Sequence, residues 1–84
     1  MSQVSVVVLS WNTAELTMSC LRSVTAAFER GGFDGELVIV DNGSEDGSAD
    51  RVAAEFPEAK LLRNDVNRGY AAGVNQGVAA SGGE

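Results

Sequence analysis

Histidine is absent from this sequence, and cysteine, proline, tryptophan and tyrosine occur once each. Without histidine the commonest general base of enzyme chemistry is missing. Cys20, as the only cysteine, can form no intramolecular disulfide and cannot be part of a site built on several thiolates, which suits a reducing compartment. The apolar stretches are far too short to span a bilayer and the start has no basic segment, so neither a transmembrane helix nor a signal peptide is expected. Positive charge is scarce: six Lys and Arg face twelve Asp and Glu, a net charge of −6. That balance argues against binding nucleic acid or an anionic membrane through counterion release. A nucleotide would need its phosphates met by helix N-termini, a divalent cation or local arginines.

What is present is a small globular composition, 44% hydrophobic and 21% charged over 84 residues. Such a chain makes at most one domain with a modest core of Val, Leu and Ala. Val4 to Leu9 is a β-branched apolar run, the pattern of a parallel strand covered on both faces. Thr13 or Asn12 can cap a helix in which Leu16, Cys20, Val24 and Ala27 recur at helical spacing until Gly31 and Gly32. On this pattern Cys20 is a small core residue. Leu37 to Val40 reads as a second strand ending on Asp41, with turn chemistry in Asn42, Gly43 and Ser44. Ala49, Val52, Ala53 and Phe56 form a second helical stripe that starts near Asp46 and Ser48 and is closed by Pro57. Lys60 to Arg63 is a short third strand. A third helix runs from Tyr70 to Ala80 with Ala71, Val74, Val78 and Ala79 on one side, stopped by Ser81, Gly82 and Gly83. The order βαβαβα predicts an α/β fold of three αβα layers around a parallel sheet of about three strands.

Ligands of open parallel sheets sit outside the carboxyl ends of the strands, which directs attention to Ser10–Thr13, Asp41–Gly47 and Asn64–Tyr70. The first of these turns holds no glycine, so the dinucleotide fingerprint and the Walker loop are both absent. Trp11 offers a surface for a base to stack on, or simply covers the sheet end. Asp41 can accept bonds from ribose hydroxyls, or cap the amides of its own loop. Asn42 can read a base edge or shape a turn. Ser44 and Asp46 read as helix caps, and Arg63 and Arg68 as solvated charges within reach of phosphates. Asn75 is either exposed or bonded to a neighbouring loop.

Three segments together carry a resemblance: VSVVVLSWN at Val4 to Asn12, ELVIVDNGSEDGS at Glu36 to Ser48, and NRGYAAGVNQGVAASGGE at Asn67 to Glu84. They closely resemble family 2 glycosyltransferases, with the rhamnosyltransferase-like branch the nearest, over almost the whole chain. The resemblance implies the N-terminal nucleotide-binding part of a GT-A fold, in which Leu9, Trp11, Asp41 and Asn42 line the pocket for the donor nucleoside. Many relatives carry a second acid where this chain has Asn42, which bears on base preference. Asn67, Gly69, Asn75 and Gly77 match the family pattern in architectural roles.

The implied activity is inverting transfer of a sugar, with rhamnose suggested, from a nucleotide-diphosphate sugar to a glycan or lipid-linked acceptor, in the cytoplasm or at the inner membrane face. Such enzymes hold Mg²⁺ or Mn²⁺ on a D-x-D motif and use a later carboxylate as base. Neither falls within residues 1–84, so the chain is expected to be a truncated nucleoside-binding part, inactive alone, with no catalytic or metal-binding residue of its own. The family's next strand lies beside the first, so an open edge at Val6, Val7 and Val8 is expected to drive self-association. The competing class is a binding or assembly module that kept the fold and lost catalysis.

Overall fold

The computed structural model describes residues 4–32 and 35–81. Its elements alternate as expected: β1 (Val4–Ser10), α1 (Ala14–Gly31), β2 (Gly35–Asn42), α2 (Ser48–Glu55), β3 (Lys60–Asn64) and α3 (Tyr70–Ala80). The three strands are parallel in the order β1-β2-β3. β2 is therefore central, and from Leu37 to Asn42 every residue is buried. β1 is covered by α1 on one face and by α3 on the other, as expected, and it is also an edge strand, half-buried over most of its length.

Alternation along each strand sorts the side chains into two layers. On one face Val6, Val8, Leu37, Ile39 and Leu61 pack with Met18, Leu21 and Val24 of α1 and with Val52 and Phe56 of the α2 region. Met18, Leu21 and Ile39 are fully buried. Each such side chain contributes about 1.5–3 kcal/mol relative to exposure. On the other face α3 approaches with Gly73 and Gly77, its two buried residues. A Cβ on Gly77 would stand 2.4 Å from Val7 Cγ1, and one on Gly73 would stand 2.5 Å from Leu9 Cδ1. The helix lies on the sheet through its backbone.

Two helical stripes differ from expectation. In α1 the buried residues are Thr17, Met18 and Leu21, whereas Leu16 is 72% exposed and Cys20 is exposed, not in the core. The face toward the sheet is set by Thr17, whose hydroxyl lies 2.9 Å from that of Ser10 at the end of β1. A threonine bonded this way can be buried in place of an apolar residue. In α3 the Ala71–Val74–Val78–Ala79 side does not face the sheet: Val78 is 58% exposed, because only glycines allow so close an approach. Gly32 ends α1 in the left-handed conformation as expected. The expected stop of α3 at Gly82 and Gly83 lies outside the described residues, and Ser81 takes the C-cap position.

Candidate functional site

The register places Ser10 beside Asp41 and Asn42 beside Asn64, so the three loops leave the sheet at one end. Ser10 and Asp41 share the face covered by α1 and α2, while Leu9 and Asn42 share the face covered by α3. The loops are fastened to one another by two separate sets of bonds.

The first set joins the β1–α1 loop to the β2–α2 loop. Asn12, in a left-handed conformation at φ 51°, donates its backbone N–H to Ser44 Oγ at 2.8 Å and accepts from the Glu45 N–H through Oδ1 at 2.7 Å. Asn is among the few side chains that take this conformation readily. Asp46 accepts from the Ala14 N–H at 3.1 Å and from the Ser48 N–H at 3.0 Å, and also bonds the Ser48 hydroxyl. One carboxylate thus caps the first turns of α1 and α2 together. The Ser48 hydroxyl is the main cause, with the Ser48 and Ala14 amides adding to it, that holds the Asp46 carboxyl below the usual aspartate range. Thr13 occupies the N-cap position of α1 but makes no side-chain cap bond; its hydroxyl lies 3.0 Å from that of Thr17.

The second set ties the β3–α3 loop to β2. Asn42 Oδ1 accepts from Asn64 Nδ2 at 3.1 Å and from the Arg68 N–H at 2.9 Å, while Nδ2 donates to the Gly69 carbonyl at 3.1 Å. Asn64 and Gln76 exchange two further bonds at 2.9 Å. Gly43 completes the junction: at φ 82° its Cα faces the Val66 and Asn67 backbone, which a Cβ would meet at 2.8–2.9 Å. No larger residue fits there without moving a loop, and a side chain would strain the backbone.

Between the two sets lies Asp41, 4% exposed. Its Oδ2 accepts from the Ser44 N–H at 3.0 Å. Its Oδ1 is the only buried side-chain polar atom among the described residues without a hydrogen-bond partner. An orphaned buried acceptor is costly, and it suits a ligand hydroxyl or amide. Trp11, 51% exposed, stands at the same end of the sheet.

Of the four expected pocket residues, Asp41 has an oxygen to offer and Trp11 a ring. Leu9 is partly buried beneath Gly73, and the Asn42 amide, 2% exposed, is committed to protein partners. Arg63 pairs with Asp50 at 3.0 Å, the Arg68 side chain is exposed, and so is Asn75. Asn64 and Gln76 escaped the sequence reading. The sequence showed only a polar residue closing the β3 run and a glutamine beside Asn75 in a helix of mostly small apolar residues; the burial of Asn64 and its register with Asn42 appear in the structure alone. The groove lined by Phe28, Phe56, Pro57 and Lys60 lies at the opposite end of the sheet and shares no residue with these loops.

The described residues contain no group of three His, Cys, Asp or Glu side chains that could hold a metal ion. Asp41, with one oxygen already on the Ser44 amide, is a single carboxylate and does not fit a divalent cation, which takes several oxygen ligands. No helix among the described residues is long and apolar enough to cross a membrane.

Comparison with known proteins gives this geometry a context. The family model described as glycosyl transferase family 2 matches residues 5–84. The chain belongs to glycosyltransferase family 2. Among curated family relatives, the undecaprenyl-phosphate 4-deoxy-4-formamido-L-arabinose transferase of Enterobacter sp. (strain 638) is 40% identical over 70 residues, 81% of this chain and 21% of that protein. Glycosyltransferase AglE of Haloferax volcanii is 34% identical over 85 residues, 95% of this chain and 27% of its own length. A solved structure, the mannosyltransferase PcManGT from Pyrobaculum calidifontis in complex with GDP-Man and Mn²⁺, superposes with a TM-score of 0.75 at 27% identity, covering 95% of this chain and 24% of that one. The parallel strands alternating with helices match the N-terminal part of a GT-A fold. The chain spans about a quarter of the length of the family 2 relatives it matches.

Proposed function

We propose that this chain is the nucleoside-binding part of a family 2 glycosyltransferase, and that the whole enzyme transfers a sugar from a nucleotide-diphosphate donor to a glycan or lipid-linked acceptor with inversion. The observation that carries the reading is the orphaned Asp41 Oδ1 at the loop end of the sheet, beside the exposed Trp11. In this reading Asp41 accepts from the nucleoside and Trp11 covers it. Leu9 and Asn42 shape the floor: Leu9 supports α3 at Gly73, and Asn42 holds the third loop in place. Divalent-metal coordination and acceptor deprotonation fall to parts of the enzyme outside these 84 residues, so the chain alone is inactive. Support for the donor class comes from the bound GDP-Man of the Pyrobaculum structure, and for a lipid-linked acceptor from the undecaprenyl-phosphate transferase. The rhamnosyltransferase-like branch rests on the sequence motifs, whereas these relatives are named for arabinose and mannose sugars.

Titration calorimetry with UDP, dTDP and GDP, each with and without Mn²⁺, tests the reading. One nucleotide should bind without needing the metal. Asp41→Asn should weaken it roughly tenfold or more, the loss expected when a charge-assisted bond of about 1.5–3 kcal/mol is removed. The same substitution should leave the fold at least as stable, since it removes an unpaired buried charge. Absence of binding by the unsubstituted chain would overturn the proposal in favour of a non-catalytic assembly module.

A further inference from the structure

The amides between α3 and the sheet are oriented in one direction only. The Arg68 N–H can be met only by an oxygen and the Gly69 carbonyl only by an N–H, so these backbone groups fix the two ends of the Asn42 amide. Asn42 Oδ1 then requires Nδ2 of Asn64, and Asn64 presents Nδ2 to Gln76 Oε1 and Oδ1 to Gln76 Nε2. Turning any one amide over would set like atoms against each other at the next. Asn42 and Asn64 are both more than nine-tenths buried, at 2% and 8% exposed, where a lost partner is costly. Each amide thus takes its orientation from the third loop, and the place of that loop depends in turn on a glutamine in the middle of α3.

The loop has little else to hold it. Every residue from Asp65 to Gly69 is exposed, and Val66 and Tyr70, the large side chains near its two ends, are 66% and 77% exposed. Its internal bond, from the Gly69 N–H to Asn67 Oδ1 at 2.7 Å, shapes the turn without attaching it to the sheet. Gly43 admits the loop to its place, and the amides keep it there. By strand order the first and third loops flank the end of β2, so Asp41 lies between the loop of Trp11 and this one. Asn42 Oδ1 already accepts two bonds and has no lone pair left for the edge of a base. Discrimination among bases then falls to the width of the slot between the two loops.

We infer, on the nucleoside-binding reading of the site, that Gln76 and Asn64 are positioning residues for the nucleoside. Acting through Asn42, they set how near the β3–α3 loop stands to Asp41, and with it which bases the slot accepts. Base selectivity then belongs to an amide pair behind the pocket wall, not to a side chain on the base.

Titration calorimetry with UDP, dTDP and GDP separates this role from plain structural support, because a loss of folded protein weakens all three nucleotides alike. Weak binders are ranked by displacement of the preferred nucleotide, and a thermal melt of each variant checks the fold. Gln76→Leu should weaken the preferred nucleotide about tenfold and the other two less, lowering the preference at least about threefold. Gln76→Glu keeps the oxygen to which Asn64 Nδ2 donates, and should lose less of that preference. Lys60→Met cuts the other tie between β3 and α3, from Nζ to the Ala80 carbonyl at 2.7 Å at the far end of the helix, and should leave the preference unchanged. Equal weakening of all three nucleotides by Gln76→Leu, no weakening, or an equal change in preference on Lys60→Met overturns the inference and leaves the nucleoside reading standing. Binding of none of the three by the unsubstituted chain overturns both.

Discussion

The two faces of the sheet are held by opposite means. Toward α1 and α2 the space is filled by long apolar side chains, Met18, Leu21, Ile39 and Phe56. Toward α3 it is closed by removing side chains, with Gly73 and Gly77 on the strands and amides of Asn42, Asn64 and Gln76 at the loop end. One face loses stability when atoms are taken away, the other when atoms are added. The amides appear on the α3 face because a backbone pressed against the sheet leaves no room for large apolar groups near the loop, and polar groups there must satisfy each other.

Breaking the first face should have the largest effect. Leu21→Ala removes a fully buried side chain and should cost about 2–5 kcal/mol in urea unfolding. On the second face the sign of the size change reverses. Gly77→Ala should cost about 1–3 kcal/mol, despite the better helix propensity of alanine, because its Cβ meets the stiff Val7. Gly73→Ala should cost less, since it meets the flexible end of Leu9. A neutral Gly77→Ala would show that α3 can lift off and would end the contrast.

Within the amide network, Gln76→Leu strips both bonds from Asn64 and should cost about 1–2 kcal/mol. It should also loosen the third loop, read as faster amide exchange at Arg68, whose N–H bonds Asn42.

Acid separates the two loop fastenings, because the amides do not titrate and Asp46 does. Its folded-state carboxyl is held below the ordinary aspartate value. Its contribution is therefore complete above that ordinary value and is lost as pH falls through the lower folded one. Asp46→Asn should flatten the acid limb of a stability–pH profile while Asn64→Leu leaves its shape intact. Glu55 shifts the same way because Arg22 bonds it. Both groups of that pair are solvent-exposed and screened, so Glu55→Gln should leave the stability–pH profile close to that of the unsubstituted chain.

Much of this was readable in advance, for stated reasons. The six elements and their order follow from β-branched runs, helical spacing and the turn residues between them, and the ends fall within one or two residues of expectation. The facing of α1 and α3 was not readable. In α1 a threonine was buried by a hydroxyl at the strand end, a contact between residues on different elements. In α3 the buried residues are glycines, which hydrophobic spacing cannot detect. At the candidate site, residue type and position were enough to single out Trp11 and Asp41 as candidates, and the structure adds that Trp11 is exposed and Asp41 Oδ1 has no partner. That Asn42 is enclosed by Asn64, Arg68 and Gly69 depends on the register of β2 with β3, which a single sequence does not reveal.

Asp46 touches the starts of two helices at once. A carboxylate shared in this way acts as an axle: α1 and α2 cannot tilt independently without one of them giving up its cap. A nucleoside pressing on Trp11 would therefore be felt at α2, through a linkage with no apolar contact in it. In the proposed pocket, the stiffness of the wall would be set by a residue outside those assigned to the nucleoside.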